Sequence, residues 1–222
     1  SDAPILTFFS IQSARYVEAR RNHDGVALSV FHHPLHDRNV PRMLDALEAG
    51  LDYYQSAFGP YQFDQARIIE FPGYAPFAQA FANTMPYSEA IGFLADNSDE
   101  DRIDYVAYVT AHELAHQWWA HQVIGADAQG GTMLSETLAQ YSALMVMRRL
   151  YGDDKIRRFL QFELDNYLRN RGGEAIEELR LARVENQPYI HYRKGSLVMY
   201  LLQERLGEAA VNRALRRLVE RF

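Results

Sequence analysis

The chain has 222 residues, 48% of them apolar and 13% aromatic, so it can bury an ordinary core and is not intrinsically disordered. Its 23 basic and 29 acidic residues leave a net charge of −6, which argues against a nucleic-acid surface. It has no cysteine, which excludes disulfides, thiolate ligands and cysteine nucleophiles; any metal site must be built from His, Asp and Glu.

Ile5 to Gln12 and Val26 to His32 carry β-branched and aromatic residues and read as strands, with Asn22-His23-Asp24-Gly25 as a hairpin-turn signal between them. Pro41 opens a helix with Met43, Leu44, Leu47, Leu51 and Tyr54 at 3.6-residue spacing, ending near Phe58-Gly59-Pro60. Arg67 to Phe71 reads as a short buried strand, stopped by Pro72-Gly73. From about Asp99 the pattern turns helical. Asp99-Glu100-Asp101 supplies an acidic first turn for a helix reaching about Val123, and further helices are expected over Thr132 to Leu150, Asp153 to Asn170, His191 to Leu206 and Glu208 onward. The last of these is still amphipathic at Phe222, which reads as a cut end of a longer polypeptide. No apolar run approaches the roughly 20 residues of a bilayer span, and no signal peptide is visible.

The chemistry is concentrated in His112-Glu113-Leu114-Ala115-His116, an HExxH expected about 0.02 times by chance in a chain of this composition. Two imidazoles at i and i+4 share one helix face about 5–6 Å apart, close enough for one tetrahedral ion. The adjacent Glu113 can then take a proton from a water at the open fourth position. The competing reading is a helix whose histidines merely pack. The flanks Tyr105, Val106, Val109, Leu114, Trp118 and Trp119 speak against it, because burying two histidines and a glutamate without an ion is costly.

A third ligand is needed. After a loop bearing Gly125, Gly130 and Gly131, Glu136 is the single acid between Ala128 and Met147, on an otherwise apolar or neutral helix. A helix–loop–helix of this length can return Glu136 to the histidines; a solvent-facing glutamate sits poorly on so apolar a segment.

These residues resemble the gluzincin metallopeptidases of the aminopeptidase N type, whose signature is HExxH followed after 18 residues by a Glu in a context like LNEGFA. Here His112-Glu113-Leu114-Ala115-His116-Gln117-Trp118-Trp119 is close to HELAHQWF, and Leu134-Ser135-Glu136 keeps the second context. The gap holds 19 residues, and the extra one is placed in the Gly125 to Gly131 loop. Tyr192-Arg193-Lys194-Gly195 matches the family's Tyr-x-Lys-Gly, whose tyrosine steadies the oxyanion. The resemblance implies an α+β, thermolysin-like metallopeptidase catalytic domain, a small mixed sheet followed by a mainly helical half. Residues 34 to 222 would form that domain and residues 1 to 33 the end of a preceding β-domain or sheet edge.

It further implies one Zn²⁺ held by His112, His116 and Glu136, with Glu113 and Tyr192 catalytic and a peptide as substrate. The combination of HELAHQWW with LSETLAQY also resembles peptidase domains attached to bacterial ABC-transporter permeases, which would make this chain part of a larger membrane-attached polypeptide.

One motif departs from the pattern. Family aminopeptidases carry GxMEN, whose Glu grips the substrate amine, and Ala82 stands at that place in Ala80-Phe81-Ala82-Asn83-Thr84. Asn83 and Glu89 are the residues left to contact substrate, so exopeptidase specificity stays open. His32, His33 and His36 form an HHxxH, but Pro34 breaks the helical register that would align them, which favours a surface or strand-end role. His191 offers a group beside Tyr192, with packing as the alternative. The reading is zinc-dependent, aminopeptidase-like peptide hydrolysis; its rival is a non-catalytic peptide-binding or sensor domain of a membrane transporter that retains the fold.

Overall fold

A computed structural model describes residues 4–99 and 101–222. Strands β1 (Val17–His23) and β2 (Val26–His32) form an antiparallel hairpin, with Val17 opposite His32 and the turn at Asp24-Gly25. Helix α1 (Val40–Ala57) crosses to β3 (Gln65–Phe71), which pairs parallel to β2, and β4 (Thr84–Ser88) adds parallel to β3. The order is β1-β2-β3-β4, a small mixed sheet. Helices α2 (Tyr105–Ala115), α3 (Leu138–Gly172), α4 (Gly195–Leu206) and α5 (Glu208–Arg221) make the second half, so the α+β order read from the sequence holds.

Four elements differ from expectation, one of them β4, for which the sequence carries no strand signal. The first strand is Val17–His23 rather than residues 5–12, which form no strand; Phe9 and Ile11 stand 67% and 89% exposed. β-propensity without a partner strand makes no ladder, whereas Glu18, Arg20 and Arg21 suit an edge strand that water reaches. Helix α2 is shorter than the span to Val123. Asp104 caps it, its carboxylate accepting from the Ala107 amide at 2.9 Å, while Asp99 accepts from the Asp101 amide outside the helix; Glu100 lies outside the described residues. The two helices expected on either side of residue 152 run as one element, α3, broken at Gly152, whose φ of 81° only glycine adopts without strain.

The core lies between the sheet and helices α1 to α3. The apolar stripe of α1 (Met43, Leu44, Leu47, Leu51, Tyr54) is fully buried, and Tyr54 donates to the Ala111 carbonyl at 2.9 Å, pinning α1 to α2. Trp118 and Trp119, just after α2, are also fully buried, their indole N–H groups donating to Gly59 O and Ser142 Oγ. This packing fixes α2 against the sheet and leaves its His112 face toward the helical half.

Candidate active site

Helix α2 buries His112, Glu113 and His116, and its pitch brings the two histidine Nε2 atoms to 3.0 Å of each other. The chain returns through a π-helical turn, Met133–Thr137, which feeds directly into α3 and carries Glu136. Glu136 Oε2 lies 3.3 Å from His112 Nε2 and 3.4 Å from His116 Nε2. A tetrahedral metal with bonds of about 2.0–2.2 Å holds its ligand atoms roughly 3.3–3.5 Å apart, so these three donors stand at the spacing of one coordination shell. The donor set of two imidazoles and a carboxylate is that of a zinc site with an open position. Glu136 Oε2 is buried without a hydrogen bond of adequate geometry, as expected of an atom whose partner is an ion. The residues present fit the metal.

A π-turn holds one residue more than an α-turn, and Glu136 sits in one at the start of α3.

Burial and mutual interaction push the ionisable groups of the site in different directions. Burial opposes the charged form of Glu136, but the two imidazoles outweigh it and hold the carboxyl well below the usual range. Burial pulls His112 down; for His116 burial is outweighed by Glu136, and its pKa is raised. Burial pushes Glu113 up to about 7, with Glu136 adding to the rise and His116 opposing it. His116 donates from Nδ1 to the Trp119 carbonyl at 3.1 Å, which orients the ring so that in its neutral form the Nε2 lone pair faces Glu136. His112 Nδ1 has no such partner.

A second π-turn, Tyr189–Lys194, places Tyr192 on the opposite wall. Its ring lies 5.8 Å from that of His112, close enough to Glu136 for the carboxylate to act on its phenol. Burial raises the phenol's pKa, so it remains a donor. His191 packs on Tyr192 at 4.9 Å between ring centroids, with its Nδ1 buried and unpartnered.

Two cavities open on either side of the triad. One of about 130 Å³ is lined by Phe77, Ala78, Val109, His112, Glu113 and Tyr192. The other, about 520 Å³, includes Gln79, Ala80, His116, His121, Ser135 and Glu136. Residues 77–80 run from one cavity to the other. This segment lies on β4 through Phe77 O, Gln79 N and Phe81 N, which turns the amide and carbonyl of Ala78 away from the sheet as an open edge.

Asn83 and Glu89 line neither cavity. The Asn83 side-chain oxygen accepts from Arg67 and Thr84, both at 3.0 Å, and its backbone N–H donates to Gln117 Oε1 at 2.8 Å. Glu89 accepts from the Gly73 amide at 2.8 Å, with its other oxygen 4.0 Å from His36. The His33 and His36 rings pack at 4.6 Å between centroids, but His32 turns away to bond the His33 carbonyl, and His36 pairs with Glu70.

Two contributors escaped the sequence reading. Gln117, inside the quoted motif, also donates to the Phe81 carbonyl at 3.0 Å and so ties the end of α2 to the sheet edge. Glu163, fully buried, accepts from Tyr108, Gln140 and Arg193, and the last three line the smaller cavity. No local pattern joins residues so far apart in the chain.

Residues 42–222 match the Peptidase family M1 domain. Endoplasmic reticulum aminopeptidase 2 of Homo sapiens is 26% identical over 216 residues, covering 89% of this chain and 21% of that protein. Aminopeptidase N of Lactobacillus delbrueckii subsp. lactis is 24% identical over 206 residues, covering 87% of this chain and 24% of that protein. The chain thus spans about a fifth to a quarter of these relatives. The crystal structure of an M1 zinc metallopeptidase E323A mutant from Deinococcus radiodurans superimposes with a TM-score of 0.64 at 21% identity, over 94% of this chain and 44% of that one, and shares its fold. With the domain match extending over most of its length, the chain belongs to Peptidase family M1.

Proposed function

We propose that this chain hydrolyses peptide bonds as a zinc peptidase with aminopeptidase-like chemistry. The observation that carries the reading is the convergence of His112 Nε2, His116 Nε2 and Glu136 Oε2 within 3.0–3.4 Å, with Glu113 and Tyr192 lining the smaller cavity together with His112. Held by those three residues, a zinc ion would supply Lewis acidity to the scissile carbonyl and the attacking water. Glu113 takes the proton of that water and passes it to the leaving amine. Tyr192 donates its phenolic hydrogen to the oxyanion as the carbonyl becomes tetrahedral. Residues 77–80 offer an edge along which an extended peptide lies, with room for side chains on both sides of the cleaved bond.

Ala82 cannot hold an ammonium, and Asn83 and Glu89 are engaged elsewhere, so the free amino terminus contributes little to recognition.

Elemental analysis of the purified protein, with hydrolysis of a mixed peptide library, tests the reading. About one zinc per chain is expected, and Glu113→Gln should lower kcat by roughly 10²–10⁴, the worth of a general base. A protein that binds peptides and leaves them intact, or equal turnover by Glu113→Gln, would overturn it in favour of a binding domain.

A further inference from the structure

The two π-turns that carry Glu136 and Tyr192 are joined by a bond outside the catalytic set. Thr137, immediately after the ligand, donates its hydroxyl to the carbonyl of His191, immediately before the phenol, at 2.6 Å. Thr137 is completely buried and His191 nearly so. The π geometry supplies the acceptor: the Gly195 amide, which in an α-helix would take the His191 carbonyl, takes that of Ile190 instead. Close approach is possible because residue 195 is glycine. A Cβ there would stand 2.5 Å from Thr137 Oγ1 and 2.8 Å from its Cγ2.

We propose that Thr137 is a positioning residue that sets the reach of Tyr192 toward the group held by Glu136. The inference rests on the zinc-peptidase reading of the site. Thr137 is fully buried and lines neither cavity; it acts by fixing the distance between two turns whose functional residues are each one position away. A displacement on the order of 1 Å at such a group costs up to about 100-fold in rate.

Thr137→Val keeps the shape and removes the hydroxyl, and Thr137→Ser keeps the hydroxyl. The expected result is a fall in kcat of roughly 10- to 100-fold for Thr137→Val, with zinc content and KM unchanged, and recovery to within about threefold for Thr137→Ser. In a Tyr192→Phe background Thr137→Val should add little, because the group it positions is already silent. In the metal-free protein, amide exchange over Tyr189–Lys194 should quicken in Thr137→Val and return to the parent rate in Thr137→Ser, a readout that does not depend on the chemistry. Should Thr137→Val fail to fold, Gly195→Ala, which pushes the same turns apart, should lower kcat in the same way.

Equal losses from Thr137→Val in the parent and in the Tyr192→Phe background, loss of zinc, or unchanged exchange would each overturn the proposal. An inactive, zinc-free parent would instead defeat the zinc-peptidase reading, while the exchange comparison still decides whether Thr137 holds the turn.

Discussion

The two walls of the site are built by different means. On one side α2 is a regular helix, and its pitch alone brings His112 and His116 together. On the other, Glu136 and Tyr192 each sit in a π-turn that opens α3 and α4, respectively. A regular helix supplies ligands at i and i+4 by its own periodicity, whereas single residues from two separate helices meet only where tertiary packing aims them. The π-turn adds a residue locally, rotates what precedes it relative to the helix beyond, and is held by the surrounding packing. The histidine wall should therefore tolerate changes remote from its motif, whereas the π-turn wall should respond to single-atom changes near its two functional residues.

The largest expected effect breaks the π-turn wall at the ligand. Glu136→Ala should lose zinc and with it hydrolysis, by more than the roughly 10–100-fold in metal affinity that loss of an outer partner costs. Glu113→Gln should keep its zinc, since Glu113 adjoins the triad without belonging to it. Metal content of the two variants after identical dialysis checks the difference; equal zinc in both would remove Glu136 from the ligand set.

Next in size is Tyr192→Phe, which deletes one donor from the same wall. If the phenol acts on the developing oxyanion, kcat falls by about 10²–10³ while KM and zinc content hold nearly constant. Steady-state kinetics with matched metal analysis decides the point, and an unchanged kcat would return Tyr192 to the packing residues.

The histidine wall was legible in the sequence and the π-turn wall only in part, for the same physical reason. HExxH needs nothing beyond helix periodicity, and the apolar flanks at Trp118 and Trp119 announce its burial. Glu136 stood out as a lone acid on an apolar run, but its π geometry is a tertiary outcome that no propensity signals. The Thr137–His191 bond joins residues 54 apart and left no local trace. In the sheet, β2 and β3 carried buried β-branched runs, whereas β1 is an exposed edge whose charges conceal it. Helix α2 was drawn too long because Asp99 and Asp101 resemble an acidic first turn, while the cap is Asp104.

A smaller effect sharpens the contrast from the histidine side. Asp104 caps α2 and also accepts from Tyr151 at 2.6 Å and from Arg42, all at the end of the helix away from His116. Asp104→Ala should cost about 1–3 kcal/mol of stability through the lost cap and the partners left behind. Zinc stoichiometry should stay at its parent value, because α2 remains pinned by Tyr54 and the tryptophans. Denaturant titration with metal analysis measures both; loss of zinc without loss of stability would show that the cap, too, orients the ligands.

The smallest expected effect concerns the third side of the site, the sheet edge. A carboxylate placed to receive a substrate ammonium contributes a charge-assisted bond of about 1.5–3 kcal/mol, or roughly 10- to 150-fold between free and blocked peptides. The edge at residues 77–82 presents backbone, apolar side chains and the neutral amide of Gln79 but no carboxylate, and the carboxylate of Glu89 is occupied by the Gly73 amide. Cavities lie on both sides of the triad, so a peptide need not end at the metal. Paired peptides with free and acetylated N-termini should therefore differ by less than about tenfold in kcat/KM, with cuts at internal bonds visible by mass spectrometry. Strict stepwise removal of N-terminal residues, with acetylated peptides untouched, would mean that another acid takes the amine. Asp127 and Glu185, which line the larger cavity, would then be the next residues to replace, and Glu89→Gln would serve as the control expected to change nothing.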